Sequence, residues 1–513
     1  MTRVVSEPEV TLALIPSQGS VGLKQQRILV IGQRNGGTAT SGQLVSDIQN
    51  DNSWDSLFGA DSQIAGMCRN VRKVNTETSL DAISLSDNGS GVAAAGQVSF
   101  TGTSTAAGVI AVSIGSESDF TFEIPVAEGA TDASLATLLA DAVNASTSAP
   151  FDAAASTADV DLTAVNAGTV GNSFAIKIEG QVDGITVAST AFTGGSIDPD
   201  FTTLFDVIED RRYQTIIWPY FDDIETIKDF LDSRFNVQDN VLDGVAHVGV
   251  DDTFANLLAL GNANNSQSIV INGDELISRD KLKGGSIVEI PYAKSAQIGG
   301  IDALRLTDGA LISRYVIGRG SKDRFGGIAL ASLPYFNTPL PFLPLMDVQD
   351  GFTRQEVENL QDAGVSTIGN NRTNTDVLMG EMLTTYKTDA ASNEDITWKF
   401  LNYVRTSSNI REYFFNNLKA RFAQTRLTEG SLIPGYDMAN KAVIEAYVGS
   451  LYQELANVVL VQDGEAALQF FKENLTVELD LSTGSVFISM VTPIVTQLRA
   501  ILGTIRIEFT TEG

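Results

Sequence analysis

Tyr213-Gln-Thr-Ile-Ile-Trp218 and Gly244-Val-Ala-His-Val-Gly-Val250 are short apolar runs separated by a segment with helical spacing, in which Ile224, Ile227 and Leu231 share one face. After the second run the pattern repeats: Phe254, Leu257 and Leu258 fall on a helix, and Ser268-Ile-Val-Ile271 closes the series. Continuous apolar runs alternating with helical periods read as strands buried on both faces beneath helices. Connections of this length imply crossovers and a parallel sheet. Arg27-Ile-Leu-Val-Ile-Gly-Gln-Arg-Asn-Gly-Gly37 is a run of the same kind and is assigned to the same sheet. Its glycines, Gly32, Gly36 and Gly37, lack the Gly-x-Gly-x-x-Gly spacing of a dinucleotide loop, and an ordinary turn is expected. A helix follows from about Ser62 to Val74, with Ile64, Met67, Val71 and Val74 inward and Cys68 as a packing residue.

Between about Asp87 and Ile197 the composition changes to Ala, Gly, Ser and Thr, with twelve acidic residues and one basic, Lys177. Alternating runs at Gln97–Thr101, Gly108–Ile114, Phe120–Ile124 and Phe174–Ile178 predict strands. Thr131 and Asp132 can cap a single helix carrying Leu135, Leu138, Leu139 and Val143. This is a small strand-rich domain inserted into the surrounding one.

Past the sheet, Leu333-Pro-Tyr-Phe-Asn-Thr-Pro-Leu-Pro-Phe-Leu-Pro344 predicts a stiff, extended linker or hinge. Beyond it come a short helix over Gln355–Ala363, long helices over Asp395–Arg426 and Asp437–Val459, and strands at Thr476–Leu479 and Val486–Ser489. The fold class is therefore α/β (α+β overall) and multidomain, with three or four domains expected for 513 residues.

Composition narrows the chemistry. The 34 basic and 63 acidic residues leave a charge of −29, a surface that repels phosphate backbones and argues against direct nucleic-acid binding. Cys68 and His247 are single in their kind, which removes disulfides, cysteine-based zinc sites and imidazole triads; no metal and no cofactor is expected. His247, mid-strand, reads as a packed side chain rather than a ligand. The strand-end carboxylates Asp222, Asp223, Asp251 and Asp252 occupy positions where α/β enzymes hold catalytic groups, and equally positions that cap helices. No phosphate loop or Gly-x-Ser-x-Gly elbow accompanies them, so capping is favoured and no catalytic residue is assigned. The N-terminus lacks an apolar core of signal-peptide length and no run of eighteen apolar residues occurs, so cytosolic synthesis without membrane insertion is expected.

Both ends carry apolar strands. Val10, Leu12 and Leu14 share one face of a segment bracketed by Pro8 and Pro16; Ile505, Ile507 and Phe509 alternate with Arg506, Glu508 and Thr510. Each either completes its own sheet or is donated to a neighbouring subunit by edge augmentation. Either Val491–Leu502 is a helix opened at Pro493, or Gln497–Phe509 is one long strand kinked at Gly503; the alternation of Leu498, Ala500 and Leu502 favours the strand. Lys399, Arg405, Arg411, Lys419, Arg421 and Arg426 gather on or beside the first long C-terminal helix, as a solvated face or as a docking surface for an acidic partner.

Several collinear blocks resemble the contractile tail sheath proteins of Mu-like bacteriophages (myoviruses). They are Arg27–Gln33, Ser56-Leu-Phe-Gly59, Gly91–Gly108, Asn166-Ala-Gly-Thr-Val-Gly-Asn172, Leu257–Ser266, Leu383-Thr-Thr-Tyr-Lys-Thr388, Leu418-Lys-Ala-Arg-Phe-Ala423 and Gln497–Phe509. Residues 280–350 match least. The resemblance implies a Rossmann-like α/β sheath core over 21–86 and 198–332, an inserted outward-facing β-rich domain over 87–197, a proline-rich linker over 333–350 and an α+β C-terminal domain over 351–496. The arms, 1–20 and 497–513, would be exchanged between subunits through Val10, Leu12, Leu14, Ile505, Ile507 and Phe509. It further implies a non-enzymatic structural protein of the virion tail, assembled in the host cytoplasm. Hexameric rings would stack helically around a tail tube protein, between baseplate and tail terminator proteins, and contract to drive the tube through the host envelope for genome ejection. Arg411, Lys419, Arg421 and Arg426 are then the candidate tube-facing basic patch. The alternatives are the sheath of a related contractile injection system, an α/β enzyme using the strand-end carboxylates, and an adhesin or decoration protein acting through the inserted domain.

Overall fold

The computed structural model describes residues 26–48, 53–116, 118–237, 240–275, 289–307, 332–345, 351–370 and 373–497. The chain opens with β1 (Arg27–Gln33), β2 (Leu44–Val45), helices α1 (Ser53–Phe58) and α2 (Gln63–Val74), and β3 (Ser79–Leu85). Next come β4 (Ala93–Gly102), β5 (Gly108–Ile114), β6 (Thr121–Val126), α3 (Asp132–Asn144), β7 (Phe151–Ser156), β8 (Asp159–Ala167), β9 (Ile176–Glu179) and β10 (Ile185–Thr193). The alternating series then resumes with β11 (Thr215–Trp218), α4 (Ile224–Arg234), β12 (Val245–Asp252), α5 (Phe254–Ala263), β13 (Ile269–Glu275) and α6 (Pro291–Thr307). The remainder comprises α7 (Arg354–Asp362), β14 (Val365–Asn370), β15 (Val377–Met379), α8 (Leu401–Phe422), β16 (Arg426–Leu427), β17 (Met438–Ala439), α9 (Lys441–Asn457), α10 (Glu465–Glu473), β18 (Thr476–Asp480) and β19 (Ser485–Ser489).

The organising sheet has eight strands in the order β15-β14-β13-β12-β11-β1-β3-β2. Its six middle strands run parallel and the two edge strands antiparallel. The expectation that the Arg27 run joins the 213–271 series is met, since β1 pairs parallel with β11 at Ile28↔Thr215. The turn after β1 is tight: Gly37 has φ +75°, and a Cβ there would lie 2.3 Å from the Leu57 carbonyl oxygen. It docks on α1 and holds no dinucleotide loop. The sheet continues past β13, because β14 pairs with it at Ile271↔Val365. A boundary at residue 350 therefore cuts this sheet; the mixed Val365-Ser-Thr-Ile sequence of β14 hid a strand from the apolar-run criterion.

Helices cover both faces. Leu231 of α4 and Leu257 of α5 meet the face lined by Gly244 and Gly273, while α6 meets the face that presents Thr215, Ile217 and His247. A Cβ on Gly299 of α6 would sit 2.4 Å from Ile217, and one on the adjacent Gly300 would sit 2.6 Å from Val74 of α2. The helix is thus pressed between sheet and α2 at nearly backbone thickness, a close approach that only glycine permits. Leu333–Leu345 packs Tyr335, Leu340 and Leu343 into the same layer. Arg305 at the end of α6 donates to the Leu333 and Pro334 carbonyls at 2.6 and 3.1 Å and stacks over Tyr335.

Residues 93–193 form a four-stranded sheet (β10-β4-β8-β7) and a three-stranded sheet (β6-β5-β9) packed around α3. Thr131 caps α3 as its position suggested, accepting from the Ser134 amide. Leu135, Leu139 and Val143 are buried, but Leu138 is 42% exposed: it lies off the stripe these three define. The chain leaves β3 and returns to β11 through a carboxylate-clamped joint. Asp87 accepts from Gln33 Nε2 (2.7 Å), Asn166 Nδ2 (3.1 Å) and the Ala167 amide (2.8 Å); Asp198 accepts from the Thr169 amide (2.7 Å) and hydroxyl (2.8 Å). A second contact sets Ser116 and Ser118 against the buried Glu289 carboxylate, at 3.0 and 3.3 Å, beside the Lys73–Asp119 ion pair.

Candidate functional site

Most of the candidate surface is carried by α8 and the residues after it. The first half of α8 is buried, and its polar residues are satisfied by partners far away in sequence. Arg405 donates to Asp302, to Thr215 Oγ1 (3.0 Å) and to the Gln214 carbonyl. Asp302 also accepts from Tyr335 (2.6 Å) and Thr215 (3.2 Å) and lies 3.1 Å from His247 Nε2. Burial alone would raise the Asp302 carboxyl, but the Arg405 charge and the contacts from His247 and Arg405 outweigh it and hold it well below the usual carboxylate range. His247 is thus a buried side chain in the sheet with a carboxylate partner.

One turn on, Arg212 donates to Glu412 (2.5 Å), Ser408 (2.7 Å) and the Asp243 carbonyl (2.9 Å), and Ser408 donates to Asp243 Oδ2 (2.8 Å). Arg411 completes the cluster, donating to Asp243 Oδ1 at 2.7 Å and to the Asn240 carbonyl at 2.8 Å. The four residues of the basic patch therefore separate. Arg411 turns toward its own chain, whereas Lys419, Arg421 and Arg426 are exposed at the far end of α8 and on β16. Lys419 and Arg421 lie over Phe415 and Phe422, at 5.5 and 5.4 Å from the ring centroids. Of the other two cations, Arg405 is buried and Lys399 pairs with Asp362 at 3.3 Å.

The C-terminal part of the chain also exposes large apolar side chains. Ile433 and Tyr436, in the loop between β16 and β17, are 55% and 63% exposed; Phe487 on β19 is 63% exposed. Leu432, Phe470, Leu481 and Val491 are exposed as well. Among the described residues β18 and β19 pair only with each other and neither outer edge carries a further strand; their inner side chains Val477, Leu479, Val486 and Ile488 pack on the α8–α9 core. A two-stranded sheet is marginal by itself, and open edges are the usual place for a further strand. Sequence reasoning missed the 432–436 loop, although Leu-Ile-Pro-Gly-Tyr (apolar residues set on turn-forming ones) carries the signal. Val10, Leu12, Leu14, Ile505, Ile507 and Phe509 lie outside the described residues.

The strand-end carboxylates take separate partners. Asp223 caps α4, accepting from the Thr226 amide at 3.3 Å. Asp252 accepts from the Thr253 amide and from Asn256 at the start of α5. Asp251 pairs with buried Lys294, which also donates to Asp274 at 3.1 Å. Burial, only partly countered by Lys294, pushes the Asp251 carboxyl up to about 7. Asp222 is raised by burial and by Asp198.

No family model matches the chain. The Mu-like prophage FluMu tail sheath protein of Haemophilus influenzae is 22% identical over 434 residues, spanning 83% of this chain and 80% of the relative. Among solved structures, the sheath tail protein of Desulfitobacterium hafniense has a TM-score of 0.46 at 12% identity, covering 96% of this chain and all of that one (100%). The sheath tail protein of Listeria innocua scores 0.46 at 11% identity, with 92% of each chain covered. Both scores lie below 0.5, and the fold stands on the strand pairing described above. The sequence relation, which runs through most of both chains, makes this protein a homologue of a Mu-like prophage tail sheath protein.

Proposed function

We propose that the chain is the sheath subunit of a contractile phage tail, and the relation over 434 residues to the FluMu tail sheath protein carries that reading. Subunits form hexameric rings stacked around a tail tube protein, between baseplate and terminator, and contract without nucleotide. The terminal arms (1–20 and 497–513) add strands to neighbouring subunits, and the outer edges of β18 and β19, which carry no further strand among the described residues, support this placement. Lys419, Arg421 and Arg426 face the tube, together with the exposed Ile433 and Tyr436 of the loop that follows Arg426. The region over 87–197, with its −11 charge (1 minus 12), faces outward. No step of this work calls for catalysis. The test is negative-stain microscopy of the purified protein. Sheath-type tubes are expected from the full chain, and soluble, folded subunits without tubes from a chain lacking Ile505–Gly513. Tubes that persist after the deletion reject the arm assignment; a full chain that never forms tubes, alone or with tube protein, rejects the sheath reading.

A further inference from the structure

The region between β3 and β11 holds a cleft of 630 Å³ where its two sheets diverge. The cleft is bounded by two sheet edges. Among the described residues β9 pairs only with β5, and β10 only with β4. The turn Gly180–Gly184 joins these edges and holds them apart; Gly180 and Gly184 both have φ +86°. The nine residues of β10, Ile185-Thr-Val-Ala-Ser-Thr-Ala-Phe-Thr193, contain no charge and no proline. Edge strands are normally blunted by one or the other, and this edge is not. The cleft floor is apolar (Ile110, Ile178, Val182, Ile185 and Val187), and its rim carries Glu179 and Asp183. Lys177, the one basic residue of the region, is held by Glu179 at 3.1 Å.

From this geometry we infer that the cleft is a strand-accepting site for an extended polypeptide segment that alternates apolar and basic side chains. Main-chain hydrogen bonds to an open edge give such sites their affinity, and alternate side chains give their specificity. Here one set of side chains lies on the apolar floor and the other meets Glu179 and Asp183 within a region of strongly negative charge. The inference is independent of the sheath reading.

The test uses the full chain and two labelled nine-residue peptides, one alternating valine and lysine, the other valine and glutamate, followed by fluorescence anisotropy. The valine–lysine peptide is expected to bind at least tenfold more tightly. Glu179→Lys with Asp183→Lys should weaken it at least tenfold, with an unchanged melting curve. Glu465→Lys with Glu473→Lys, both exposed on α10, should change it less than twofold. Hydrogen exchange should slow at the amides of 185–193. Equal binding of the two peptides, an equal loss in the α10 variant, or unprotected 185–193 amides would each overturn the proposal, because binding would then be diffuse charge attraction or lie elsewhere.

Discussion

Two polar joints, one buried and one half-buried at Asp87 and Asp198, fasten the peripheral parts of this molecule to its eight-stranded sheet, and they are built from opposite materials. The α8 joint pairs carboxylates with arginines: Asp302 with Arg405, Glu412 with Arg212. The joint of the inserted region gives its carboxylates mainly neutral donors: Asp87 and Asp198 take amides and a hydroxyl, and Glu289 takes two serines. A paired buried charge is costly to orphan and hard to titrate. A carboxylate held by neutral donors costs less to lose, and when burial dominates it titrates near neutrality. Glu289 and Asp302 thus shift in opposite directions, Glu289 up through burial and Asp302 down beside Arg405.

The largest expected effect comes from Asp302→Asn, which leaves Arg405 uncompensated at the centre of the α8 joint. A loss of about 3–5 kcal/mol in denaturant-measured stability is expected. A loss below about 1 kcal/mol would mean that Arg405 finds other partners and the contrast fails. Next is Asp198→Asn, which keeps the shape but weakens two hydrogen bonds to Thr169; about 1–2 kcal/mol is expected, by the same measurement.

Glu289 sharpens the comparison through pH. Burial, with Asp119 adding and Lys73 and Ser116 opposing, pushes its carboxyl up to about 7 from 4.5. Between these values the folded chain binds a proton that the unfolded chain does not, so stability falls as pH rises through this window and levels off above it. Glu289→Gln should flatten this part of the stability–pH profile; an unchanged slope would place the titration elsewhere. Asp302 has the opposite sign. Its folded value is depressed, so its contribution is complete above the unfolded value of about 3.9 and fades only in stronger acid. The smallest effect belongs to Lys73→Ala, since its pair with Asp119 is partly solvated; at most about 1 kcal/mol is expected from thermal melts.

The sheet was readable because its central strands bury both faces and so appear as apolar runs, unbroken in Ile28–Ile31 and interrupted only by His247 in Val245–Val250. β3 and β14 were not, since Asp81 and Ser366 are buried with partners that the local pattern cannot show, and the buried Ser84 and Thr367 break the apolar runs. The same holds for the α8 joint. Arg405 and Arg411 look like Lys419 and Arg421 in the sequence, and only contacts more than a hundred residues away separate rivets from surface. Capping at Thr131 and Asp223 was legible because it is local.

The glycine pair in α6 has a mechanical consequence. At Gly299 and Gly300 the α6 backbone itself meets Ile217 of the sheet and Val74 of α2, with no α6 side chain between them. With no α6 side chain to rearrange at that point, a load arriving through α8 meets a close-packed layer. The strain it carries has to be taken up elsewhere, in the loops and edges at the periphery.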